Sequence, residues 1–142
     1  MDRIPSFEKN HDKLQVGLHE GTVLHGVTTW DLRFKKPNAG DFITPKALHT
    51  VEHILATVLR NSSQKDEVIY FGPMGCRTGF YLLTVNLNYE QVKRLLIECC
   101  LVSLTLNEVP GSKREECGNY LEHDLEGGLK EIATYLKILE EI

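Results

Sequence analysis

The stretch Thr44-Pro45-Lys46-Ala47-Leu48-His49-Thr50-Val51-Glu52-His53-Ile54-Leu55-Ala56-Thr57-Val58-Leu59-Arg60 decides how the rest of the chain is read. Thr44 is an N-cap residue, and Pro45 suits the first helical position, where its missing N–H would have no partner in any case. Ala47, Val51, Ile54, Leu55, Val58 and Leu59 recur at helical spacing, and Asn61-Ser62-Ser63 ends the run. At about 100° per residue, with His49 as zero, these six side chains fall between about 140° and 280°. His53 lies roughly 40° from His49 on the opposite side, one turn along, and Glu52 lies about 60° to the other side of His49. The helix therefore has one face for a core and another that gathers two imidazoles and a carboxylate.

Working outward, a second helix is expected after Asn88 and to about Ser103, with Val92, Leu95, Leu96, Cys99 and Val102 on one face. A third follows Asp124 as N-cap and carries Leu125, Leu129, Ile132, Leu136 and Leu139, with Gly127-Gly128 weakening its first turn by about 1 kcal/mol per glycine. Val23 to Phe34, Glu67 to Phe71 and Thr78 to Leu87 read as strands from their β-branched and aromatic content and the turn residues that bound them. Strands and helices do not alternate as βαβ units. The expected class is therefore α+β, a single domain over residues 1–142 with helices packed on one face of an antiparallel sheet.

Composition narrows the function classes. The 142 residues include 16 basic and 20 acidic side chains, for a net charge of −4, so no basic excess exists to neutralise a nucleic-acid backbone. Apolar runs such as Phe80-Tyr81-Leu82-Leu83 fall far short of the ~20 residues of a membrane span. Met1 to Pro5 lacks an apolar signal core, and a cytoplasmic location is expected. Four cysteines are too few and too irregularly placed for a disulfide scaffold.

The chemistry lies in His49-Thr50-Val51-Glu52-His53. Both imidazoles can reach one metal ion, and the carboxylate beside them can move protons. The same H-x-x-E-H pattern marks inverted-zincin peptidases, and paired histidines on an amphipathic helix are often simply solvated. A metal needs a third ligand, and Cys76, Cys99, Cys100, Cys117 and His123 are the candidates. Cys99 and Cys100 sit inside the second helix and read as packing residues. Cys117 lies in the polar stretch Glu115-Glu116-Cys117-Gly118-Asn119, where a thiol has no packing role. Cys76 lies in a glycine-flanked turn, and the adjacent Arg77 would favour its thiolate. His123 is close enough to Cys117 to ligate, but a structural role at the start of the last helix is preferred. His19 and His25 read as surface or strand-face residues.

Six blocks in order resemble the S-ribosylhomocysteine lyase (LuxS) family: Ser6-Phe7 with His11; Asp31-Leu32-Arg33-Phe34 with Pro37-Asn38; His49-Thr50-Val51-Glu52-His53; Pro73-Met74-Gly75-Cys76-Arg77-Thr78-Gly79-Phe80-Tyr81; Cys117-Gly118; and His123-Asp124-Leu125-Glu126-Gly127. The resemblance implies a carbon–sulfur lyase that moves a sugar carbonyl through enediolates and then expels homocysteine. It implies His49, His53 and Cys117 as ligands of one divalent metal, Fe(II) with Zn(II) or Co(II) as substitutes, and no organic cofactor. Glu52 and Cys76 match its acid/base pair, and Ser6, His11 and Arg33 match its substrate contacts. It also implies a homodimer with sites at the subunit interface. The segments Lys13–Thr29 and Ile69–Gly72 depart from the family pattern, and Trp30 stands where phenylalanine is common. A closed structural metal site is the remaining alternative; it would take four protein ligands, His123 among them.

Overall fold

In the computed structural model, which describes residues 1–142, every helix foreseen from apolar spacing forms with its cap in place. Helix α1 is a short turn at Pro5–Glu8, α2 spans Pro45–Leu59, α3 Tyr89–Ser103 and α4 Leu125–Glu141. Thr44 accepts from the Ala47 N–H at the start of α2. Asn88 and Gln91 form a reciprocal capping box on α3, and Asp124 accepts from the Gly127 N–H on α4. The strands are β1 at Gly17–Leu24, β2 at Val27–Arg33, β3 at Val68–Pro73 and β4 at Gly79–Val85. They form one antiparallel sheet in the order β1-β2-β4-β3.

One sequence expectation is corrected here. Val23–Phe34 is not a single strand: it contains the end of β1, a two-residue turn and all of β2. His25 and Gly26 both have positive φ, 52° and 78°, the backbone that a tight hairpin turn requires. The β-branched composition runs straight across that turn, while Gly17–Thr22 holds residues of low strand propensity and gives no signal of its own. β1 is ordered instead by pairing with β2, Leu18 against Leu32 and His19 against Asp31.

Side chains on β2 alternate as a pleated strand demands. Trp30 and Leu32 join Phe71, Phe80 and Leu82 beneath α2, α3 and α4 in one core of 23 buried residues. Phe34 stacks on Tyr135 of α4 at 4.0 Å, and the Tyr135 hydroxyl donates to the Gly17 carbonyl at 3.0 Å. Asp31 and Arg33 point to the other face of the sheet, yet they too are buried, 0% and 1% exposed. The glycine pair of α4 has a packing reason: a Cβ at Gly128 would stand 2.6 Å from Thr50 Cγ2. Without side chains there, the first turn of α4 closes on α2 and brings the residue before its cap, His123, onto the histidine face.

Candidate functional site

The core face of α2 is as its periodicity requires, with one addition: Thr50 is buried as well. On the opposite face, His49 and His53 meet a long connection from Leu104 to Asp124 that wraps back over α2. The His49 Nδ1–H donates to the Glu122 carbonyl at 2.7 Å, and the His53 Nδ1–H donates to the Pro110 carbonyl at 3.0 Å. A carbonyl can only accept, so each neutral ring carries its proton on Nδ1 and leaves the Nε2 lone pair free. Cys117 Sγ lies 3.4 Å from His49 Nε2. In a tetrahedral site with bonds of about 2.3 Å to sulfur and 2.0–2.1 Å to nitrogen, neighbouring sulfur and nitrogen ligands sit about 3.5 Å apart. This donor set fits a divalent metal.

His123 belongs to the same cluster, and the ligand atoms of His49, His53, Cys117 and His123 all lie within 4.8 Å of one another. The His123 ring stacks on His49 at 4.0 Å, and its Nε2 is 3.9 Å from Cys117 Sγ. Burial, then repulsion from His49 and His53, pushes its pKa down to about 4. Glu52 stands beside the cluster with Oε1 4.0 Å from His53 Nε2. Glu52 and His49 line a cavity of about 370 Å³ together with Pro73, Gly75, Arg77 and Asn119.

Cys76 opens into a different cavity, about 390 Å³, shared with Ser6, His11, Arg33 and Tyr81. The two cavities have Pro73 and Gly75 in common. Burial resists ionisation of the Cys76 thiol. The Thr78 hydroxyl 3.1 Å away, the Thr78 and Cys76 N–H groups and the charge of Arg33 outweigh that resistance and hold its pKa below the ordinary thiol value. Arg77, the sequence neighbour expected to do this, turns away: it donates to the Ile43 carbonyl and lies over Phe42, with its backbone in the left-handed region at φ 61°.

Arg33 is fixed in turn by Asp31, at 3.1 and 2.6 Å, and by the Thr78 hydroxyl at 2.8 Å. Lys9 reaches in from the N-terminal segment to Asp31 at 2.7 Å. Burial opposes the Asp31 charge, but bonds from Arg33 and Lys9 prevail and keep its pKa below the usual carboxylate value. The same segment places Ser6 Oγ 2.9 Å from the Tyr81 hydroxyl, and the His11 Nδ1–H donates to the Lys9 carbonyl at 3.0 Å. Cys99 and Cys100 lie in the core, with burial first and then Glu98 and Cys99 respectively raising their pKa values to about 12. They read as packing thiols.

Sequence reasoning missed Thr50, Thr78, Asp31, Lys9 and Tyr81. All but Lys9 fell within the quoted blocks without being assigned a role, and an acidic residue two positions from Arg33 on one strand face was a usable signal. The roles of the others become visible only once strands and helices are assembled.

A statistical model of the family described as S-Ribosylhomocysteinase (LuxS) matches residues 4–141. The S-ribosylhomocysteine lyase of Borreliella afzelii is 41% identical over 153 residues, covering 100% of this chain and 95% of the relative. That of Phocaeicola vulgatus is 41% identical over 150 residues, covering 100% and 93%. That of Desulfotalea psychrophila is 37% identical over 150 residues, covering 100% and 94%.

Proposed function

We infer the function from one premise: the chain belongs to the S-ribosylhomocysteinase (LuxS) family. It is a carbon–sulfur lyase that cleaves S-ribosylhomocysteine to homocysteine and 4,5-dihydroxy-2,3-pentanedione, the autoinducer-2 precursor. The observation that carries this reading is the full-length family match together with the convergence of His49, His53 and Cys117. In the proposal the whole chain, residues 1–142, acts as one lyase domain.

His49, His53 and Cys117 hold one divalent metal, Fe(II) by assignment with Zn(II) or Co(II) able to replace it, and no organic cofactor is needed. When bound, the metal supplies Lewis acidity to the substrate oxygens. The protein groups do the proton work. In the open sugar the carbonyl moves from C1 to C2 to C3. Each move takes the proton from the carbon that becomes the carbonyl and returns one to the carbon that was the carbonyl, while the hydroxyl proton passes from one oxygen to the other. The Cys76 thiolate and the Glu52 carboxylate are the two bases. With the carbonyl at C3, loss of the C4 proton to one of them drives the electron pair toward C5, the C5–S bond breaks, and homocysteine leaves as a thiolate that takes up a proton. A depressed Cys76 pKa supports this role, since it raises the share of thiolate at a given pH. Ser6, His11 and Arg33 line the Cys76 cavity and are assigned to substrate contacts.

The active form proposed is a homodimer with sites at the subunit interface. Two observations support it. The cluster and the Cys76 pocket occupy separate cavities in one chain, and Ile4, Phe7, Leu24 and Tyr70 are large apolar side chains left exposed. No helix is long and apolar enough to cross a membrane. Four free cysteines, one of which must stay reduced to act as a base, suit the reducing cytoplasm.

The test is a thiol-release assay on S-ribosylhomocysteine with anaerobically prepared, metal-analysed protein. Stoichiometric homocysteine that depends on the metal is expected. Its absence from metal-loaded protein overturns the reading. The position of His123 favours one rival, a closed four-ligand structural site, which predicts tight metal and no turnover.

A further inference from the structure

His123 stands within reach of the metal cluster, and its hydrogen bonds determine what it does there. Its Nδ1 is 2.9 Å from the hydroxyl of Thr50, a residue that is 0% exposed. That hydroxyl oxygen already accepts the Asp124 N–H at 2.9 Å. If His123 also donated to it, the hydroxyl would face two donors and its own proton would have no acceptor in a site closed to water, which is costly. No buried side-chain polar atom in the protein is left without a partner. Thr50 must therefore donate to Nδ1, and the neutral His123 ring then carries its proton on Nε2, the atom that faces Cys117 Sγ. His49 and His53 have the opposite arrangement, with Nδ1–H given to carbonyls and Nε2 bare. The 3.9 Å from His123 Nε2 to sulfur also exceeds the 3.4 Å from His49 Nε2.

We propose that Thr50 and His123 form a positioning relay, O–H to Nδ1 and Nε2–H to the Cys117 thiolate, and that His123 is not a metal ligand. This deepens the reading above, on which it rests for the ligand set. The relay keeps a donor on the sulfur, draws electron density away from the metal–thiolate bond, and leaves the metal with three protein ligands and an open place for substrate oxygen. Gly128 is part of the arrangement, since only a residue without a Cβ lets Thr50 sit under the first turn of α4.

The experiment uses the full chain loaded with Co(II), whose thiolate-to-cobalt charge-transfer band reports on the sulfur and whose d–d bands report coordination number. His123→Leu removes the donor, His123→Gln restores an N–H at the position of Nε2, and Thr50→Val removes the hydroxyl donor to Nδ1 that fixes the tautomer. Under the proposal all three bind about one Co(II) in four-coordinate form, with affinity lowered roughly 10- to 100-fold. The charge-transfer band moves to lower energy in His123→Leu and Thr50→Val and returns toward the wild-type position in His123→Gln. Loss of cobalt in His123→Leu as complete as in Cys117→Ala makes His123 a ligand and overturns the relay. An unmoved band in His123→Leu overturns it as well. Neither readout uses turnover, so failure of the lyase reading would appear separately, as absent thiol release from the wild-type protein.

Discussion

The His49–His53–Cys117 cluster and the Cys76 pocket differ in how the chain assembles them and in where their charge comes from. In the cluster, two groups are one helical turn apart on α2, and a wrapping connection adds the third. Its two helix rings give Nδ1–H to carbonyls and turn Nε2 toward Cys117, so the cluster presents donor atoms and no charge partner of its own. The pocket draws Ser6 and His11 from the N-terminal segment, Arg33 from β2, Cys76 from the β3–β4 turn and Tyr81 from β4. It carries its own charges, with Lys9, Asp31 and Arg33 linked in a row that ends beside the thiol. Half of a donor cluster can thus be laid down by local periodicity, whereas easing a thiol toward ionisation needs a whole sheet to bring a cation to it.

The largest expected effect breaks the cluster alone. Cys117→Ala should fall from about one metal per chain to almost none and lose thiol release, while Cys76 keeps its alkylation behaviour. Retained metal, measured by elemental analysis, would remove Cys117 from the ligand set. Cys76→Ala and Glu52→Gln should do the reverse, keeping metal and losing roughly 10²- to 10⁴-fold or more in turnover. Metal loss in Cys76→Ala, or near-normal rates in Glu52→Gln, would mean the roles are wrongly divided. Mixing subunits of Cys117→Ala and Cys76→Ala sharpens the comparison further. If one subunit's cluster works with its partner's pocket, each mixed dimer has one intact site, and random mixing restores about a quarter of wild-type activity. No restoration would mean that each chain builds its own site.

Two smaller effects probe the pocket's charges. Thr78→Val removes a hydroxyl that stabilises the Cys76 thiolate, so the Cys76 pKa should rise and its alkylation profile move to higher pH, read by mass spectrometry of the Cys76 peptide. An unmoved profile would assign the effect to Arg33 and the backbone alone. Lys9→Ala should cost at most about 1 kcal/mol at neutral pH, since the ammonium is partly exposed. Because the Asp31 pKa is depressed in the folded protein, its contribution to stability is present above the ordinary carboxylate pKa and is lost as pH falls through the folded value. Without Lys9 that loss should begin at a higher pH, visible as an earlier acid-unfolding midpoint by circular dichroism. An unchanged midpoint would show that Arg33 alone sets the Asp31 charge.

The same contrast explains what the sequence made legible. All three long helices could be read because caps and apolar spacing are local signals, and His49 and His53 came with the first of them. β1 could not be read, because its order comes from pairing with β2 rather than from Gly17–Thr22 themselves. Cys76 was identified as chemically interesting, but its cation was assigned to the neighbour Arg77, when β2–β4 pairing places Arg33 opposite Gly79 and so next to the thiol. The departure at Ile69–Gly72 is accommodated within β3: Phe71 enters the core, and the Tyr70 ring lies over the space that a side chain on Gly72 would fill.

The connection from Leu104 to Asp124 has a consequence for the life of the protein. Its polar ties to α2 are the ring bonds from His49 and His53, the contacts of Cys117 and His123, and, at its very end, the Asp124 N–H to Thr50. Between Leu104 and His123, the groups that would capture the ion in the proposed reading are thus among those that pin the segment down. A ligand that binds only the folded form stabilises it in proportion to the logarithm of its free concentration. On the proposed ligand set, protease sensitivity between Leu104 and Asp124 should therefore rise as metal becomes scarce, which limited proteolysis with and without a chelator would read.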